Sequence, residues 1–399
     1  MADFFQTGAL ATLHRLGLTD VPRLERELEG FAKERPIALV LPCHINELGT
    51  DALKLIIAEL SEVRYFAEIV IGIDGATTAA EWQKARAAFA AMPQKPALLW
   101  NDGPQMKALF QALGAAGFST GVPGKGRNVW ICLGYVLASG KARIVGSHDC
   151  DIATYSRELP ARLCYPVANP ALGFNFCKGY IARYSTRLNG RVMRLLFTPL
   201  IRSLQSILGA HPFLTYLDTF RYPLSGEMCI DLDLVRRVRV SSDWGVEVGM
   251  LAEIFRNAAP RAICQSELAD RYDHKHQALS ALHPMAVDVS KTVFRVMAAE
   301  GIKLDAEHFD TLLSAYVRKA GDALRDYHAD SQINGLDYDR HEEESAVATF
   351  ADAVRLASKA FLQNPPSPTL MPAWSDVKSA LPGFLAELRK AVQKDNAAT

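Results

Sequence analysis

The segment Ser147-His148-Asp149-Cys150-Asp151 sets two carboxylates two residues apart. Such a pair can chelate one divalent cation. Mg2+ and Mn2+ sites commonly combine one or two carboxylates with the phosphates of a substrate. A cation on a diphosphate neutralises the charge that builds as it leaves. The same tripeptide also serves as a solvated turn, but its place after the apolar run 142–146 favours the metal reading. Upstream, Pro123-Gly124-Lys125-Gly126-Arg127-Asn128 joins glycines to a compact lysine charge. Glycines let backbone approach a phosphate closely. The alternative is a basic surface turn. Asp273-His274-Lys275-His276 offers an imidazole that can complete a metal shell, or a surface histidine pair. Ser225-Gly226-Glu227 and Gly245-Val246-Glu247 put a carboxylate beside a glycine, suited to orienting an acceptor hydroxyl or to capping a helix.

Several chemistries are absent. There is no Walker A loop, no HExxH and no GxGxxG after the first apolar strand, and the GxSxG match Gly117-Phe118-Ser119-Thr120-Gly121 lies well past the apolar run 96–100, not at the strand end that a nucleophile elbow needs. This argues against a serine hydrolase, a zinc peptidase and a typical dinucleotide oxidoreductase.

The elements that must position these residues follow from hydrophobic period. The runs 37–41, 68–73, 96–100 and 142–146 read as strands buried on both faces. Helical patterns separate them, with Leu53, Ile56, Ile57 and Leu60 in one and residues 79–91 in the next. This rhythm predicts an α/β fold with a mostly parallel, doubly wound sheet. Ligands in such sheets bind at the carboxyl ends of the strands. The polar segments 42–47, 74–75, 101–103 and 147–151 lie there, which makes Asp74 a ligand-binding candidate beside the acidic pair. Residues 171–176 look like a further strand, and 183–191 like a basic loop. Asp243 suits the N-cap of a helix over 244–257 with Glu247 in its first turn. Residues 1–35 read as a helical extension, 36–284 as the catalytic domain and 285–399 as a helical region. In the last, Val347, Phe350, Val354, Ala357 and Phe361 form an apolar stripe, 365–368 is a proline-rich break and 376–393 a final helix.

The 399 residues allow one large domain with an appendage, or two domains. Lys plus Arg and Asp plus Glu each number 44, so no net charge draws the chain toward nucleic acid. Seven cysteines with no CxxC suggest buried thiols in a reducing compartment. With no secretory pattern and no run near the about 20 residues of a spanning helix, cytoplasm is the expected location.

In order along the chain stand Leu41-Pro42 with Asn46-Glu47, Gly124-Lys125-Gly126, Asp149-Cys150-Asp151, Lys178-Gly179-Tyr180 and Gly190-Arg191-Val192. Pro223-Leu224-Ser225-Gly226-Glu227, Gly245-Val246-Glu247-Val248-Gly249 and the His274 segment follow. Over roughly residues 36–300 this series resembles the retaining glucosyl-3-phosphoglycerate synthases and their mannosyl-3-phosphoglycerate relatives. The resemblance implies a GT-A fold, which is Rossmann-like with flanking helices. It also implies transfer of a hexose, glucose favoured, from a nucleotide diphosphate sugar to a small acidic acceptor such as 3-phosphoglycerate.

The resemblance further implies roles. Pro42 and Glu47 would line the nucleoside pocket, and Lys125 would stand beside the base or phosphates. Asp149 would reach the ribose, while Asp151 and His274 would ligate Mg2+ or Mn2+. Arg191 and the Gly190 backbone would hold the acceptor's phosphate. Glu247 would face the sugar or the acceptor hydroxyl, with Asp151 and Glu247 the catalytic pair. No protein nucleophile is implied for retention, and a homodimer is expected. Three residues depart from the family: Met193 replaces a Thr, Trp244 a Tyr and His276 an Asn. All lie on the acceptor or sugar side, so the donor half, with UDP-glucose favoured over GDP-mannose, is the firmer and the acceptor the more open. The alternatives are a GDP-mannose-dependent enzyme, a sugar-1-phosphate nucleotidyltransferase and a non-catalytic nucleotide-sugar-binding protein.

Overall fold

A computed structural model of the chain describes residues 6, 9–242, 245–271, 279–363 and 370–397. Its strands are β1 (Ala11–Leu13), β2 (Ile37–His44), β3 (Phe66–Asp74), β4 (Ala97–Trp100), β5 (Ile144–Ser147), β6 (Phe176–Tyr180), β7 (Met228–Asp231), β8 (Val240–Ser241), β9 (Ile263–Glu267) and β10 (Leu370–Met371). Eight of them form one sheet in the order β1-β9-β6-β7-β5-β2-β3-β4. Only β7 runs antiparallel to its neighbours; the other ladders of this sheet are parallel. Alternate residues of β2 feed two cores: Ala38 and Val40 face one, Ile37, Leu39 and Leu41 the other. Burial on both faces is why these strands read as continuous apolar runs.

Several local expectations are corrected. Residues 1–35 are not helical throughout, because Ala11–Leu13 pairs in parallel with β9 and extends the sheet; the helix is Val21–Phe31. Strand β2 does not stop at Pro42. The Val40 carbonyl oxygen accepts from the His148 N–H on the β5 side, and Pro42, two residues on, turns its backbone the same way. The β2–β5 ladder spans only Ile37 to Val40, so the missing N–H of Pro42 breaks no ladder bond. Residues 171–175 form a turn, with the Ala171 N–H bonded to Asn169 Oδ1 and Gly173 at φ +71°. The strand begins at Phe176, disguised in sequence by Lys178 and Gly179. The helix after β8 is Val246–Asn257, with Gly245 at its N-cap position; Asp243 lies outside the described residues. The proline-rich 365–368 lies outside them as well.

The C-terminal helices close back on the sheet. The expected helix over 376–393 is two, Trp374–Ala380 and Phe384–Ala397, interrupted around Pro382. Trp374 stacks on Trp130 with ring centroids 4.1 Å apart. The Asn396 side chain accepts from the Leu98 N–H at 3.2 Å and donates to the Leu98 carbonyl at 2.7 Å. One amide thus satisfies both backbone groups of Leu98 on the open edge of β4, where an unpaired strand would invite aggregation. No helix among the described residues is long and apolar enough to cross a membrane.

Candidate active site

Strands β2, β3, β4 and β5 all end on one rim, at His44, Asp74, Trp100 and Ser147. A cleft of about 560 Å³ opens there. Pro42, Glu47, Asp74, Lys125, Asp149, Asp151, Gly190, Arg191, Met193 and Glu247 all line it. His274, His276 and Trp244 lie outside the described residues.

One wall is acidic. Beyond β5 the His148 ring is fully buried, and burial holds its pKa down at about 4. A neutral ring donating from Nδ1 to the Asp149 carbonyl (2.9 Å) and accepting at Nε2 from the Tyr155 hydroxyl (3.0 Å) satisfies both nitrogens. This braces the turn that carries Asp149 and Asp151. Gly226 makes room for the first of them, since a Cβ there would fall 2.5 Å from Asp149 Oδ1.

Gly124-Lys125-Gly126 is not a free loop. Lys125 begins the helix Lys125–Ser139, and a Cβ on Gly126 would lie 1.9 Å from the Ser241 carbonyl oxygen. Glu247 occupies the first turn of Val246–Asn257, so two helix N-termini meet at the cleft. Such termini favour anionic groups. The Lys125 ammonium stands 2.7 Å from Asp149 Oδ1 and 2.9 Å from Glu247 Oε1. Burial works against its charge, but the two carboxylates outweigh that and hold its pKa well above the usual lysine value. Behind it the buried Lys178 donates to the Ser225 carbonyl and, at 2.8 Å, to its hydroxyl. Burial lowers the Lys178 pKa to about 8.

Asp151 carries the opposite stress. Burial and then the charge of Asp149 push its carboxyl up to about 7; Lys125 opposes, and Glu47 and Glu227 add to the push. Acids crowded around one lysine are relieved by a dication. Among the described residues no group of three His, Cys, Asp or Glu side chains forms a metal cage. The residues present fit a cation held by one or two carboxylates and completed by phosphate oxygens. Asp74, at the end of β3, is raised by burial and accepts from Asn101 Nδ2 at 2.7 Å.

A second wall of the cleft is basic. The segment 183–191 contributes Arg183, Arg187 and Arg191, with Gly190 at φ +74°. Arg183 donates to the Tyr222 hydroxyl. A π-helical stretch, Val192–Phe197, follows and sets Met193 at the cleft. The basic character of this segment was legible, but the contributions of Arg183, Arg187 and Tyr222 were not. Nor was the apolar flank of Leu282, Met285 and Val289 from the helix Leu279–Ala299.

Acidic, cation-compatible strand ends of a mostly parallel sheet share one cleft with an arginine-rich loop, an arrangement suited to a nucleotide-sugar-dependent glycosyltransferase of the GT-A class. No protein-family model matches the chain. It is 46% identical over 401 residues to the glucosyl-3-phosphoglycerate synthase of Persephonella marina, covering 99% of each. It is 37% identical over 403 residues to the enzyme of the same name from Methanococcoides burtonii, covering 98% of each. Among solved structures, glucosyl-3-phosphoglycerate synthase from Mycobacterium tuberculosis in complex with Mn2+, UDP-glucose and phosphoglyceric acid is similar at TM-score 0.54 and 25% identity. That match covers 74% of this chain and 89% of the other. The complex of the same enzyme with phosphoglyceric acid gives a TM-score of 0.55 over 75% and 90%. The chain belongs to the glucosyl-3-phosphoglycerate synthase family.

Proposed function

We propose that this chain transfers glucose from UDP-glucose to 3-phosphoglycerate with retention of configuration, using Mg2+ or Mn2+. The observation that carries this reading is that one cleft gathers an acid wall and an arginine wall from widely separated segments. Full-length relatives named for this reaction support it, and they favour glucose over mannose. A structure of the mycobacterial enzyme holds Mg2+ and UDP.

In this reading Asp151 and His274 hold the cation, which when bound supplies positive charge to the departing diphosphate. Lys125 and the helix N-terminus behind it face the phosphates, and Asp149 the ribose. Pro42, Glu47 and Asp74 border the nucleoside. Arg191 and the Gly190 backbone hold the acceptor's phosphate through charge-assisted bonds, with Met193 and His276 on the same side. Glu247, 2.9 Å from Lys125, faces the sugar and orients the acceptor hydroxyl. Fixing both substrates converts the encounter into a local reaction. Residues 36–284 carry the chemistry; of the helical region 285–399, the helix Arg340–Gln363 braces the arginine loop and 370–397 pack against the sheet. The protein works as a cytoplasmic homodimer.

Incubation with UDP-glucose, 3-phosphoglycerate and Mg2+ or Mn2+ is expected to yield UDP and a glucosylated acceptor. Absence of product with either metal would reject the reading, and product from GDP-mannose alone would move it to the mannosyl relatives.

A further inference from the structure

Glu342 and Glu343 stand together in the first turn of the helix Arg340–Gln363, remote in sequence from the arginines they meet. Glu343 is nearly inaccessible, with its side chain 6% exposed. It joins Arg191 Nε at 2.6 Å to Arg194 Nη1 at 2.9 Å. Arg194 also donates to the Asn189 and Leu188 carbonyl oxygens at 2.9 and 3.3 Å. Glu343 is therefore part of the frame of the acceptor loop.

Glu342 is different. Its side chain is 36% exposed, and Oε2 lies 2.9 Å from Arg191 Nη2 and 3.0 Å from Arg187 Nη1. Both arginines line the cleft. A carboxylate bridging two cleft arginines takes up the donors that an incoming anion would use. Partly exposed pairs of this kind are weak and exchange readily, whereas a buried pair is hard to break without damage.

Resting on the assignment of Arg191 to the acceptor's anionic group, we propose that Glu342 is a resident anion that keeps Arg187 and Arg191 assembled and is displaced by the acceptor's phosphate. Glu343 is the fixed positioning residue of the same arginine. The two neighbours then act with opposite sign on acceptor affinity. A ligand that must first displace Glu342 binds less tightly by the fraction of time the arginines stand open. That factor is the same for every anion using the site.

The test is steady-state kinetics on the full chain at saturating UDP-glucose and metal, with 3-phosphoglycerate as the varied acceptor. Two constants are read: the acceptor KM and the inhibition constant of inorganic phosphate against that acceptor. Glu342→Gln is expected to lower both by one common factor, about three- to tenfold. Glu343→Gln is expected to raise both by about tenfold or more without moving the KM for UDP-glucose. Glu343→Asp, which keeps the charge but shortens its reach, tests the same role if the Gln variant folds poorly. Glu344→Gln, whose residue pairs outward with Arg340 at 2.7 Å, is the control and should change neither constant. A higher or unchanged acceptor KM in Glu342→Gln, or unequal factors for the two anions, overturns the displacement role. Arg191→Ala separates the two layers. If it leaves the acceptor KM unchanged, the site assignment itself fails; if it raises that KM while Glu342→Gln does not lower it, only the displacement role fails.

Discussion

The two walls of the cleft are built in different ways. The acid wall hangs on strand ends and helix starts that the buried sheet fixes: β5 for Asp149 and Asp151, two helix N-termini for Lys125 and Glu247. The arginine wall is a loop, and it is held from outside by carboxylates of a helix more than a hundred residues away in sequence. The first wall has its geometry set before any ligand arrives. The second has internal partners that a ligand must join or replace. Invariant chemistry suits the first arrangement and acceptor choice the second, because loops can vary without disturbing a core.

The largest break in this comparison should come from Asp151→Ala. Transfer is expected to fall by about a thousandfold or more, and the metal-dependent rise in melting temperature with UDP should vanish. A variant that still shows that rise would remove Asp151 from the metal site. Lys125→Ala comes next. It leaves Asp149 and Glu247 without their shared cation, so the KM for UDP-glucose should rise about ten- to hundredfold while the acceptor KM moves less. An equal rise in both would mean that the walls are not separable.

A third prediction concerns pH. The Asp151 carboxyl sits at about 7 in the folded chain, above the usual carboxylate value. The folded state thus binds that proton more tightly than the unfolded chain. Stability without metal should fall as pH rises from about 4 to about 7 and then level off. Asp151→Asn should therefore be more stable than the parent at pH 8, on the order of 1–3 kcal/mol, and near equal at pH 4. Equal melting temperatures at pH 8 would show that the acid wall is not strained. The smallest effect is expected far from the cleft. Asn396→Ala removes both bonds to Leu98 and should cost about 1–2 kcal/mol of stability with no change in either KM.

The same division governs what the sequence made legible. Strands buried on both faces announce themselves as apolar runs, so 68–73 and 142–146 located the rim, and with it Asp74, Asp149 and Asp151. Where the backbone is decided by partners, the pattern misled. Ala11–Leu13 is a strand only because β9 offers an edge. Residues 171–175 turn although the run 171–176 looks like a strand, because Asn169 and Gly173 fold the chain before β6 begins at Phe176. Lys125 read as part of a glycine segment suited to a phosphate, yet it begins a helix, and Gly126 there leaves room for the Ser241 carbonyl. Arg191 was found through family resemblance. Glu342 and Glu343 left no trace, since two acids at a helix start read as ordinary capping charge.

The central claim is that donor and acceptor occupy separate walls of one cleft, and Arg191→Ala tests it most directly. With UDP-glucose and 3-phosphoglycerate both varied in the presence of Mn2+, the acceptor KM should rise about ten- to hundredfold while the donor KM stays within about twofold. A rise in the donor KM with the acceptor KM unmoved would contradict the account and put the arginine wall on the donor side.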